Sequence, residues 1–240
     1  MAVSSSSDAG LAGFVESRFA QLAEQAPRTM ALLDAQPALR VEAANVLLGS
    51  DFALRAMLRD DGLLEALWGS GALSASRGPH DYTALLEVLH PDQTTVEADA
   101  LRSLRQLRTR EMLRLAWRDL AGSAAVHDTL RETSWFADSV IAAATRMAAA
   151  LLVPRHGRSP HAGDELMVLA MGKLGGSELN FSSDIDLIFL YPRGGESTGP
   201  AALDLGEYYT RQGRLLIRLL DTVTEDGFVF RVRHAPAAVW

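Results

Sequence analysis

With 240 residues, 48% of them apolar, the chain is long enough for one large domain or two small ones around a sizeable core. A formal net charge of -7 argues against a general nucleic-acid binder, which needs a basic face. The absence of cysteine excludes a disulfide framework or a thiolate metal site and fits a reducing, cytoplasmic setting. No apolar run approaches the roughly 20 residues of a membrane span, so no membrane partner is expected.

Residues 1–10 are Ser-rich and lack a basic start leading into an apolar run. They are expected as a short disordered tail rather than a secretory signal. Residues 11–152 read as all-helical, because Ala, Leu, Arg and Glu dominate them. Ser50-Asp51 and Ser123 offer N-terminal caps. Pro27, Pro37, Pro79 and Pro91, with Gly62, Gly69 and Gly78, punctuate the region. The clearest helix follows Ser123, where Val126, Leu130, Phe136, Val140, Ala144, Met147 and Leu151 recur at near-helical spacing. Trp68, Trp117 and Trp135 are expected in the core. Arg102, Arg105, Arg108, Arg110, Arg114 and Arg118 form a basic stripe on one helix. A contact to phosphate or to a protein substrate is one reading of it. The adopted reading is a helix surface salt-bridged to neighbours such as Glu111 and Asp119.

Residues 153–164 form a linker, with two Pro, two Gly, two His and two Arg between Pro154 and Gly163. His156 and His161 lack metal-ligand spacing and receive no role. Residues 165–240 change pattern. Residues 166–171 are a short continuous apolar run, expected as a buried strand, and residues 185–191 are another, stopped by Pro192. Residues 193–200 form a Gly-rich loop. Leu205, Tyr208, Leu215, Leu219 and Val223 mark an amphipathic helix. A third strand is expected over residues 228–232, opened by Asp226-Gly227. The order strand, short helix, strand, long helix, strand predicts a small mixed α/β unit on a helical bundle, an α+β fold.

Chemistry concentrates between Met171 and Leu187. Gly175-Gly176-Ser177 follows a strand and is expected to open a helical turn whose bare backbone N–H groups would suit a phosphate. Glycine there also admits a ligand close to the backbone. Asp184 and Asp186 stand at i and i+2 at the start of a strand, so both carboxylates project to one face. Two adjacent carboxylates are costly unless a cation lies between them, and Mg²⁺ prefers such hard oxygen ligands. Alone, a Gly-Gly-Ser is more often a turn, and an Asp-x-Asp more often a solvated strand end. Their order and separation shift the balance toward a site.

The combination resembles the polymerase-beta-like nucleotidyltransferases. In that superfamily the paired carboxylates hold two metals and the Gly-Ser turn positions the nucleotide's phosphates. The match goes further. Residues 172–180 (Gly-Lys-Leu-Gly-Gly-Ser-Glu-Leu-Asn) and 183–187 (Ser-Asp-Ile-Asp-Leu) resemble the glutamine synthetase adenylyltransferase family almost residue for residue. Residues 110–114, 116–120 and 226–232 are similar to it as well, so the resemblance runs from about residue 40 to residue 232. That family is two-headed: one half attaches AMP to a tyrosine of glutamine synthetase from ATP, and the other removes it by phosphorolysis, giving ADP. Asn180-Phe181-Ser182-Ser183 and the long helical region look like the N-terminal, AMP-removing half. The resemblance implies metal binding by Asp184 and Asp186, and phosphate or nucleotide contacts from Gly175, Gly176, Ser177, Lys173 and Ser183. For Lys173 a solvated surface position stands equally open. It implies Mg²⁺ as cofactor, glutamine synthetase and the PII nitrogen-regulatory protein as partners, and ATP, ADP and phosphate as ligands. Other readings stay open: a non-catalytic remnant that only binds its partner, or a nucleotidyltransferase acting on another substrate such as RNA, which the net charge disfavours.

One departure stands out. The family pattern continues Phe-Arg-Val with an Asp that is the third carboxylate, but here Arg233 follows Val232. A family-like continuation, Asp-Met-Arg-Leu-Arg-Pro-Phe-Gly, read one base out of frame encodes Arg-His-Ala-Pro-Ala-Ala-Val-Trp, the sequence from Arg233 to Trp240. The expectation is a frameshifted, truncated domain with an aberrant tail over residues 233–240 and little or no turnover. Arg233 is expected to point toward the two aspartates.

Overall fold

The computed structural model describes residues 4–89, 91, 95–192, 194–234 and 238–239. The chain divides into two compact units, residues 1–76 with 109–129, and residues 77–108 with 130–240.

The first unit holds α1 (Ser4–Gln25), α2 (Pro27–Ala35), α3 (Pro37–Gly49), α4 (Asp51–Arg59), α5 (Leu63–Gly69) and the second half of α7 (Glu97–Leu120). Pro27 and Pro37 start their helices, where a missing N–H costs nothing. Ser50 caps α4 as expected, its hydroxyl accepting from the Ala53 N–H at 3.1 Å. Leu22, Leu33, Val46, Leu47, Met57, Leu64 and Trp117 form the core. The Trp117 indole also donates to Glu42 at 2.7 Å.

Several expectations change here. Residues 4–10 open α1 rather than forming a tail, while residues 1–3 lie outside the described residues. Trp68 is 41% exposed, on a short helix that buries Leu63, Leu64 and Leu67 instead. Ser123 does not directly precede α8, which begins at Val126; its hydroxyl donates to the Arg118 carbonyl at 3.2 Å at the end of α7 instead.

The second unit holds α6 (Pro79–Glu87), the first half of α7, most of α8 (Val126–His156), and then β1 (Met167–Met171), α9 (Gly172–Gly175), β2 (Ile185–Tyr191), α10 (Leu205–Asp221), β3 (Val232–His234) and β4 (Ala238–Val239). β1 pairs antiparallel with β2, and β3 and β4 pair parallel with it, giving a small mixed sheet. Together with the helices this is an α+β architecture. Ile185, Leu187 and Phe189 are buried on one sheet face. α10 crosses that face. It buries Leu216, Leu219 and Leu220, and a Cβ added at Gly213 would lie 3.5 Å from the Phe189 ring.

The third strand begins later than expected. Val229 and Phe230 both donate their N–H groups to the Leu220 carbonyl, at 2.9 and 3.1 Å, so this stretch wraps the end of α10. Both side chains are buried, which breaks the alternation a strand would impose. Val223 lies past the helix end and is 75% exposed.

The expected pairing with Glu111 is found, but several of the α7 arginines do not lie on a helix surface. Arg105, Arg114 and Arg118 are buried. Arg114 pairs with Glu111 at 2.6 Å and donates to the Ala75 carbonyl at 2.7 Å. Arg105 donates to the carbonyls of Leu219 (3.1 Å), Gly227 (2.9 Å) and Thr222. These include carbonyls at the C-terminal end of α10, which the helix itself leaves unpaired and where positive charge is favoured. The expected linker also starts later, because α8 runs to His156. His156 is buried, its Nδ1 2.7 Å from the Ala201 carbonyl. Next to it Gly157 (φ +71°) crosses Gly199 so closely that a Cβ on either would sit 2.3 Å from the other's backbone nitrogen. By length and composition α8 could cross a membrane, contrary to the reading that no segment could. Half of its apolar window is buried, as in the core helix of a folded unit.

Candidate active site

Burial of Ile185, Leu187 and Phe189 under α10 leaves Asp184 and Asp186 together on the opposite face, half-buried. In register, Asp186 stands between Met171 of β1 and Arg233 of β3. The Ile185 N–H donates to the Arg231 carbonyl at 2.9 Å and locks the parallel edge beside the carboxylates. Arg233 reaches across: its Nη2 lies 2.9 Å from Asp184 Oδ2. The arginine side chain is 74% exposed and that of Asp184 28%, so the pair is partly solvated.

α9 brings the glycine turn to the same end of the sheet. Gly172, directly after β1, has φ +58°, and a Cβ there would lie 2.7 Å from Asp186 Oδ2. Gly175 packs on the strand it leaves, since its Cβ would meet the Ala170 carbonyl oxygen at 2.6 Å. The expected open phosphate nest is not present at residues 175–177. These residues end the helical turn instead of opening it: Gly176 N–H donates to Gly172 O at 3.0 Å and Ser177 N–H to Leu174 O at 2.9 Å. Both of these donors are used, so of Gly176 and Ser177 only the Ser177 side chain is left to contact a ligand. Ser177 itself takes φ +58°, rare for a residue with a side chain.

Lys173 and Ser183 are brought together, with Nζ donating to Oγ at 3.2 Å. Ser183 Oγ donates in turn to Asn180 Oδ1 at 2.7 Å, and the Ser182 N–H approaches the same oxygen at 3.3 Å. Asn180 thus shapes the turn that delivers Asp184. Its place two and three residues before hydrogen-bonding serines is an Asx pattern that the sequence reading did not use. Leu174 and Leu179 are buried and anchor the loop, and the Leu179 N–H donates to Ser134 Oγ of α8 at 3.0 Å.

A divalent cation can be tested against this donor set. Among the described residues no group of three or more His, Cys, Asp or Glu forms a metal site. Two carboxylates are enough for one Mg²⁺, which keeps several waters and takes the rest of its ligands from substrate phosphates. The missing side chain at Gly172 leaves room for the Asp186 carboxylate beside it. The set therefore fits a single ion once Arg233 is displaced from Asp184, and does not supply a two-metal clamp.

The sequence comparisons bear on the whole of this region. The family model described as glutamate-ammonia ligase adenylyltransferase matches residues 41–234. The chain belongs to that family. A bifunctional glutamine synthetase adenylyltransferase/adenylyl-removing enzyme of Thioalkalivibrio sulfidiphilus is 44% identical over 187 residues, covering 77% of this chain and 19% of that protein. One of the same description from Pseudomonas aeruginosa is 41% identical over 210 residues, covering 85% and 21%. The chain therefore spans about a fifth of the length of these relatives. The adenylyltransferase family match includes Asp184, Asp186, the α9 turn and Arg233 alike.

Proposed function

We propose that the second unit carries the adenylyl-removing site of a glutamine synthetase adenylyltransferase. The observation that carries this reading is the placement of Asp184 and Asp186 on the open face of β2, with the α9 turn beside them. The mixed sheet, with the carboxylates leading its central strand, supports a polymerase-beta-like nucleotidyltransferase domain.

In this reading inorganic phosphate attacks the α-phosphorus of an adenylyl-tyrosine. The new P–O bond gives ADP, the old one breaks toward tyrosine, and the phenol oxygen recovers a proton. Asp184 and Asp186 would hold Mg²⁺, which would supply charge neutralisation at the phosphate oxygens. The Lys173 ammonium and the Ser177 hydroxyl contribute side-chain donors, because the Gly176 and Ser177 backbone donors are already used and the Ser183 hydroxyl already donates to Asn180; Ser183 takes part by accepting from Lys173 and holding its ammonium at the site. Glutamine synthetase as substrate and PII as regulator belong to the same proposal and rest on the family resemblance.

The Arg233–Asp184 pair supports a second part of the proposal: the 240-residue chain turns over slowly or not at all. A guanidinium is a permanent cation without acceptor capacity, so at this position it occupies a metal ligand and donates none. The test is AMP release from adenylylated glutamine synthetase with phosphate and Mg²⁺, comparing the chain with its Arg233→Asp variant and with Arg233→Asp/Asp186→Asn. Release restored by the first change and abolished by the second is expected. Rates independent of Asp186 would rule out the metal-ligand assignment.

A further inference from the structure

We propose that Gly172 is a positioning residue for Asp186, holding open the place its carboxylate must occupy to bind a cation; this rests on the reading of Asp184 and Asp186 as a metal site. Three observations converge on it. Gly172 is the residue that follows Met171, and Met171 is the register partner of Asp186, so the two stand side by side across the β1–β2 ladder. Its φ of +58° turns the chain from β1 into α9, a conformation that residues with side chains rarely adopt. A Cβ at this position would approach Asp186 Oδ2 to 2.7 Å, a distance that nonbonded atoms do not tolerate.

The three glycines of the turn are not equivalent. The Gly175 approach is to backbone, the Ala170 carbonyl, and serves the packing of the turn on its own strand. A Cβ on Gly176 would meet nothing closer than 3.5 Å. Only at Gly172 does the close atom belong to a side chain of the site. Backbone cannot yield there without breaking the sheet register, so the carboxylate must. A methyl group at 172 would turn the Asp186 carboxylate away from the position it holds, and so impair the pair's ability to hold one ion between them.

The experiment separates this contact from simple turn strain. Thermal unfolding is measured for Gly172→Ala in the native chain and in an Asp186→Ala background. The positioning role predicts a clearly smaller loss of melting temperature in the second background, because the carboxylate is no longer there to be displaced. Equal losses, or failure of Gly172→Ala to fold in both backgrounds, would mean that the glycine serves the backbone alone and would overturn the proposal. Mn²⁺ binding is then measured by electron paramagnetic resonance in an Arg233→Asp background. Gly172→Ala is expected to weaken it at least tenfold, as Asp186→Asn does. Mn²⁺ binding that needs Asp186 but is indifferent to Gly172→Ala overturns the positioning role and leaves the metal site standing. No Mn²⁺ binding in the Arg233→Asp parent overturns both.

Discussion

Arg233 stands beside Asp186 in the parallel β2–β3 register and places its guanidinium 2.9 Å from the neighbouring carboxylate, Asp184. A cation supplied by the protein thus meets one of the two carboxylates that a metal ion would need. Because the arginine is 74% exposed, water and salt screen the pair, and such pairs contribute at most about 1 kcal/mol to stability.

Replacing Arg233 should therefore change metal affinity far more than stability. Arg233→Ala is expected to tighten Mn²⁺ binding severalfold, and Arg233→Asp at least tenfold, with melting temperatures nearly unchanged. Calorimetric titration of each variant decides it. Identical affinities would show that the guanidinium does not compete for the site.

Arg105 should matter for stability in the way Arg233 does not. It is fully buried, burial holds its pKa below the usual arginine value, and it donates to Leu219, Thr222 and Gly227 carbonyls. Gly227 O keeps the Thr224 N–H, but the Leu219 and Thr222 carbonyls lose the Arg105 donor, and each carbonyl left without a partner costs about 1–3 kcal/mol. Arg105→Met, which keeps most of the volume, is expected to lower the urea midpoint nearly as much as Arg105→Ala. Recovery of the native midpoint by methionine would assign the effect to packing instead.

The Gly157–Gly199 crossing tests the connection between α8 and the loop before α10. Gly199 N–H donates to His156 O at 3.0 Å, and Thr198 N–H to Arg158 O at 3.0 Å. Gly199→Ala would place a methyl group 2.1 Å from the His156 carbonyl carbon, against backbone that has no rotamer to change. The expected result is a large destabilisation, or a loop that detaches and becomes open to proteolysis between residues 157 and 201. A variant as stable and protease-resistant as the parent would refute the crossing.

The Arg18–Asp51 pair predicts a specific acid sensitivity. The Arg18 hydrogen bond and charge hold the Asp51 carboxyl below its ordinary value of 3.8. A carboxylate with a depressed folded-state pKa contributes stability above its unfolded pKa, and that contribution is lost as pH falls through the folded value. Asp51→Asn should therefore lower stability at neutral pH and flatten the stability–pH curve below about pH 4. Curves that stay parallel through the acid limb would show that Asp51 is not linked to folding.

The sequence by itself determined the family, the carboxylate pair and the face they share. These are local properties: an apolar alternation from Ile185 to Phe189 commits one side of β2 to the core and so sends Asp184 and Asp186 to the other. Arg233 was legible for the same reason, since strand periodicity carried its direction even though the strand begins later than the pattern suggested. What only the tertiary structure decided involves partners distant in the chain. Arg105 reads as part of a salt-bridged helix surface until the carbonyls at the end of α10 arrive 114 residues later to satisfy it. The Gly175-Gly176-Ser177 turn is a local exception: it reads as an open anion nest, but the nearby carbonyls of Gly172 and Leu174 take the Gly176 and Ser177 donors. Gly172 is one glycine among 19 until Asp186 is laid over it, because a missing side chain has no meaning until something else needs the space.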